Sequence, residues 1–163
     1  MIIKKAYEYL EKETPLRYDC GTLCNKACCK GEGEIWLLPD EEMLFRGRED
    51  FEIKYTDGEY NLKCDADCAG ERGVRPFGCR IFPYFPIVEK TDGRLKVRLM
   101  LDPRGTPFCP LANCREKCEK SFERAVRKAV RLLCTEERYY MFFKNQGELL
   151  QEIATLRQKL GLE

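Results

Sequence analysis

Cys20-Gly21-Thr22-Leu23-Cys24-Asn25-Lys26-Ala27-Cys28-Cys29 sets four cysteines within ten residues, and the rest of the chain repeats the theme. Cys64, Cys68 and Cys79 form a second cluster, Cys109, Cys114 and Cys118 a third, and Cys134 stands apart. In total, 11 cysteines and no histidine occur in 163 residues. Thiols clustered between stretches of ordinary sequence point to a chain folded around thiolate-bound metal. The lack of histidine excludes the two-Cys two-His zinc finger, so any site must be built of sulfur, with at most a carboxylate or an outside ligand added.

The bulk composition narrows the classes. A length of 163 residues predicts one domain over 1–163 with a hydrophobic core of its own. With 44% hydrophobic and 35% charged residues the chain is of the globular type, so the cysteines are not staples for a chain too small to fold. A net charge of +1 gives no global pull toward nucleic acid or anionic lipid. Residues 1–8 lack the apolar core of a signal peptide, and the apolar run 81–88 is far too short to span a bilayer. These features predict a cytoplasmic protein without membrane association, whose thiols stay reduced. The odd cysteine count also argues against a fully paired disulfide framework.

Along the chain, the spacing of Ile3, Tyr7 and Leu10 predicts a helix over 2–13 ended by Pro15, and the first cysteine cluster then reads as irregular chain. Asp40, Glu41 and Glu42 read as the N-cap and solvated acidic first turn of a short helix reaching Phe45. Asp57-Gly58 suits a type I′ hairpin turn, and counting outward pairs Tyr55 with Tyr60, Ile53 with Leu62 and Phe51 with Cys64. That register puts Cys64 on the inward face at the open end of the hairpin. Asp92-Gly93 marks a second hairpin pairing Val88 with Val97, with Pro83 and Pro86 confining its first strand to an edge or an irregular approach. From Asn113 onward the pattern is helical, with Phe122, Val126, Ala129, Val130 and Leu133 on one face and one break expected, near Thr135 or near Gly147. The aromatic run Tyr139, Tyr140, Phe142 and Phe143 and the lone Cys134 read as core. The basic residues Arg124, Arg127, Lys128 and Arg131, diluted by glutamates, read as a solvated face. For the stripe Leu149, Ile153, Leu156 and Leu160 the alternatives are self-pairing and docking on the first helix, and docking is expected because two heptads make a marginal coiled coil.

The cysteine spacings carry the chemistry. Cys20/Cys24, Cys64/Cys68 and Cys114/Cys118 are each separated by three residues, as are Cys24 and Cys28. On a helix such pairs share a face, which is expected for Cys114 and Cys118. The side chains of the Cys28-Cys29 doublet diverge, so one of the two serves one site while the other serves a second site or the core. Asp65 and Asp67 lie between Cys64 and Cys68, but sites of this type favour sulfur. Radical chemistry of the C-x3-C-x2-C type is not matched, because the third thiol comes one residue late or falls in the doublet.

The order of three motifs resembles a known family. The segment from Cys20 to Cys29 is followed by Ile35-Trp36-Leu37-Leu38-Pro39-Asp40-Glu41-Glu42, then by Arg75-Pro76-Phe77-Gly78-Cys79-Arg80-Ile81-Phe82-Pro83. Together they resemble the YkgJ-type CxxxCxxCC domain, over about residues 18–118. Here three residues, Asn25, Lys26 and Ala27, precede the doublet where that family has two. The resemblance implies chelation of zinc or iron. A related domain in the longer flagellin lysine-N-methylases implies an iron–sulfur cluster, though methylation does not carry over to this chain. From the residues themselves, Pro76 and Gly78 would shape a tight turn presenting Cys79. Arg75 and Arg80 would offset the negative charge of a thiolate site and donate hydrogen bonds toward sulfur.

The expectation is a small α+β domain, irregular, cysteine-rich and metal-centred, with two β-hairpins and a helical C-terminal region over about 113–163. One or two centres of zinc or iron–sulfur type would be held by Cys20, Cys24, Cys28 or Cys29, Cys64, Cys68, Cys79, Cys109, Cys114 and Cys118. A metal-binding module without catalysis of its own leads. An iron–sulfur redox or protein-modifying enzyme and a zinc-stabilised nucleic-acid-binding module are the alternatives. The partner or substrate would be another protein, while nucleic acid finds little support in the charge.

Overall fold

The computed structural model describes residues 1–30, 33–64, 73 and 75–162, with residues 29 and 30 described by backbone alone. It is an α+β fold with two small antiparallel sheets and several helices. The first helix, α1 (Ile2–Leu10), is followed by two single helical turns, α2 (Gly21–Cys24) and α3 (Ala27–Lys30), so the first cysteine cluster is helical rather than irregular. Strand β1 (Ile35–Trp36) leads to a 3-10 turn, Glu41–Leu44, and then to the hairpin of β2 (Phe51–Thr56) and β3 (Glu59–Cys64). After α4 (Phe77–Ile81) comes the second hairpin, β4 (Tyr84–Thr91) and β5 (Arg94–Leu101). Short 3-10 turns fill the stretch before α5 (Lys120–Leu133) and α6 (Glu137–Lys159).

Both hairpins have the expected register. Phe51 lies opposite Cys64, Ile53 opposite Leu62 and Tyr55 opposite Tyr60 in the first, and Val88 opposite Val97 in the second. The cause is local: Asp57 and Gly58 both take positive φ (55° and 86°), as a type I′ turn requires, and the turn then fixes every later pair. The two residues of β1 add a third strand against β3, Ile35 facing Leu62, which periodicity over so short a run does not reveal.

Two apolar clusters hold these elements. The larger packs α1, α4, α5, α6 and the second hairpin, with Phe122, Val126, Ala129, Val130 and Leu133 fully buried along one face of α5. At nine residues α1 is too short to be stable alone. Its buried Ile3 and Leu10, each worth about 1.5–3 kcal/mol, hold it against α5. The helix stops at Leu10, short of Pro15. The smaller cluster joins Leu37, Phe45, Phe51 and Leu62 beside the three-stranded sheet.

Several expectations are corrected. The helix expected from Asn113 begins only at Lys120, because the Glu119 amide is bonded to the Pro15 carbonyl (2.8 Å) and the residues before it close successive tight turns. Cys114 and Cys118 flank the 3-10 turn Arg115–Lys117 and therefore share no α-helical face. Of the two places expected for a break, Thr135 is where it falls, and α6 runs on through Gly147. That glycine lets β4 approach closely: a Cβ there would stand 3.1 Å from Ile87 Cδ1. Asp40 gives no side-chain cap; it sits at φ 65° and pairs with Arg138 of α6. Glu41 and Glu42, expected in solvent, are buried. The leucine stripe of α6 is not covered by α1: Leu149, Leu156 and Leu160 are all exposed. The aromatic run of α6 and Cys134 are buried as expected. Among the described residues no helix is long and apolar enough to cross a membrane.

Candidate metal centre

The two clusters meet along a cavity of about 290 Å³. Four cysteines reach its wall from three separate stretches of chain: Cys20 at the start of α2, Cys28 on α3, Cys64 at the end of β3 and Cys79 in the middle of α4. The hairpin register accounts for Cys64, which packs beside the smaller cluster at the open end of β3. Cys79 owes its place to α4. Pro76 is the N-cap of that helix, and Gly78 faces β1 so tightly that a Cβ would lie 2.8 Å from Ile35 Cγ1. The Pro76–Gly78 stretch is thus a helix start seated on a strand rather than a tight turn, and it brings Cys79 to the cavity.

Arg75 and Arg80 also line the cavity. Arg80 is 4% exposed, a buried guanidinium rather than a surface one. Its guanidinium donates to the Arg75 carbonyl and the Gly73 carbonyl, each at 2.8 Å, and stacks 4.0 Å from the centre of the Tyr7 ring. It shapes the approach to α4 through the backbone. Arg75 acts on sulfur more directly, since its charge favours the Cys20 thiolate.

Behind Arg80 stands a residue that sequence patterning placed in solvent. Glu41 is fully buried and accepts from the Tyr7 hydroxyl, the Leu38 amide (2.7 Å) and the Phe77 amide (2.6 Å). One carboxylate therefore ties α1, the loop after β1 and the first turn of α4 together. Burial pushes its pKa up, against the pull of those three hydrogen bonds and of Arg80. A run of three acidic residues looks like a solvated helix start, and only the tertiary contacts single out the middle one.

The remaining thiols divide. Cys20, Cys24 and Cys109 are near enough for electrostatic coupling, and Cys118 couples to Cys109. Burial, then neighbouring Asp19, Cys109 and Cys24, push the Cys20 thiol up to about 11. Burial likewise raises Cys109 and Cys118. Cys118 lies against the Tyr84 hydroxyl, which also donates to Glu123 at 2.9 Å. Burial works to raise Glu123, but bonds from Tyr84 and Arg127 outweigh it and hold this carboxyl below its ordinary range. Cys114 is half-buried between two 3-10 turns and does not line the cavity. Cys68, Asp65 and Asp67 lie outside the described residues, as does the Cys29 side chain. Among the described residues no three cysteine, aspartate or glutamate side chains stand at metal-binding spacing.

Sulfur donors are the chemistry that a thiophilic ion would require. Crowded thiols whose pKa values burial raises stay protonated near neutral pH, and an ion that binds thiolates would offset that penalty by displacing the protons. Soft sulfur donors select zinc or iron–sulfur centres over calcium or magnesium. Comparison with protein-family models, with curated proteins and with solved structures returned no match for this chain.

Proposed function

We propose that the protein binds metal, as zinc or as an iron–sulfur cluster, through thiolates gathered at the cavity between its two apolar clusters. The observation that carries this reading is the meeting of Cys20, Cys28, Cys64 and Cys79, remote in sequence, on one cavity wall. Cys24 and Cys109 adjoin Cys20 and belong to the same neighbourhood, with Cys118 next to Cys109. Cys68 and Cys29 complete the candidate set from the sequence, and Cys114 is its outlying member. The order of the cysteine, acidic and Arg-Pro-x-x-Cys-Arg motifs, similar to the YkgJ-type domain, supports the same reading.

In this reading Arg75 favours the thiolate form of Cys20, and Arg80 fixes the backbone that carries Cys79. Tyr7 and Glu41 hold α4 against α1. When bound, zinc would supply a structural crosslink, whereas an iron–sulfur cluster would supply one-electron chemistry. Binding would couple to folding, because three separate chain segments become tied at one point.

Serine substitution tests the assignment. Cys20→Ser, Cys64→Ser and Cys79→Ser are each expected to lose most of the bound metal and to melt earlier, while Cys134→Ser keeps its metal. Metal content unchanged in all three cavity variants overturns the assignment.

A further inference from the structure

We infer that the distal half of α6 is a self-association surface, pairing with the same helix of a second copy of this chain in parallel. Beyond Leu150 the helix carries no buried residue. Its apolar residues there nonetheless keep coiled-coil spacing: Leu149, Ile153, Leu156 and Leu160 follow intervals of four, three and four. Leu149 is 44% exposed, Leu156 57% and Leu160 70%, and only Ile153 rests partly on the body. α1, the obvious internal cover, lies against α5 instead.

Two features specify the occupant. Leu149 and Leu156 take the d positions and Ile153 the first a position, the combination that favours two parallel strands over larger assemblies. Glu152 then falls at g and Arg157 at e. In a parallel pair each g position faces the following e position of the other chain, so Glu152 meets Arg157 of the second copy, twice by symmetry. The stripe is thus complementary in charge to itself. Arg157 bonds the Leu162 carbonyl at 2.7 Å with one of its donors, which leaves other guanidinium donors for the carboxylate. With about two heptads the seam is short, so the dimer is weak and dissociates on dilution.

Sedimentation equilibrium of the full chain under reducing conditions tests this over a roughly hundredfold concentration range. The expected result is a reversible monomer–dimer equilibrium, weakened about tenfold or more by Leu156→Lys. That side chain is exposed, so the melting temperature of the dilute monomer should not change. Glu152→Arg should weaken the dimer, and combining it with Arg157→Glu should restore it. A chain that stays monomeric throughout, assembles beyond two copies, or dimerises regardless of Leu156→Lys overturns the inference. So does a double charge reversal no better than the single one.

Discussion

At the scale of single residues, the strongest constraint beside the candidate centre is an acid. Glu41 accepts two backbone amides that have no route to water. Glu41→Ala would orphan both, together with the Tyr7 hydroxyl, and should cost about 3–5 kcal/mol in a urea titration, since each abandoned buried donor costs ~1–3 kcal/mol. Glu41→Gln keeps the shape and one acceptor and should cost less. Equal, small losses for the two variants would contradict the role given to this carboxylate. Cys134 makes a different statement. Burial is the main reason its thiol is raised from 9.0 to about 12, with Glu137 adding to this and Lys90 opposing it. Because the folded pKa lies above the unfolded one, the stability it contributes is whole below pH 9. That stability is lost as pH rises through about 12. Metal-free protein should therefore weaken across that window, and Cys134→Ala should flatten the decline. An identical decline in the variant would show that other groups, such as the buried tyrosines, govern alkaline unfolding.

At the scale of elements, the route from sequence to site runs through packing that differs in how local it is. The hairpins were legible because a two-residue turn fixes register, and with the register came the inward position of Cys64. The face of α5 was legible because five apolar residues repeat at helical spacing. Cys114 and Cys118 show the opposite case. Their spacing suits a helix, but tight turns and the Pro15 carbonyl delay the helix to Lys120. The seat of α4 on β1 was likewise hidden, because it depends on a two-residue strand meeting Gly78. Gly78→Val should push α4 off Ile35 and cost about 1–3 kcal/mol, the usual penalty of overpacking. It should also lower metal retention by moving Cys79, which metal analysis of the purified variant would read. A destabilised variant that keeps its full metal content would separate α4 from the centre.

At the scale of the whole molecule, two apolar clusters of unequal size leave a cavity at their junction, and thiols from three separate stretches of chain are delivered to it by four elements. No one of α2, α3, β3 and α4 carries enough cysteines to hold an ion, so in the proposed reading folding assembles the site and metal then ties it. The energetic corollary is that chelation should lower the melting temperature of the whole chain rather than loosen one loop. The most direct test is metal and acid-labile sulfide analysis of protein purified without oxygen, together with its visible spectrum. Zinc in colourless protein, or iron and sulfide in coloured protein, is predicted at one or more equivalents per chain. A folded, fully reduced chain carrying no metal, and taking up neither zinc nor iron with sulfide when these are supplied, would contradict the account.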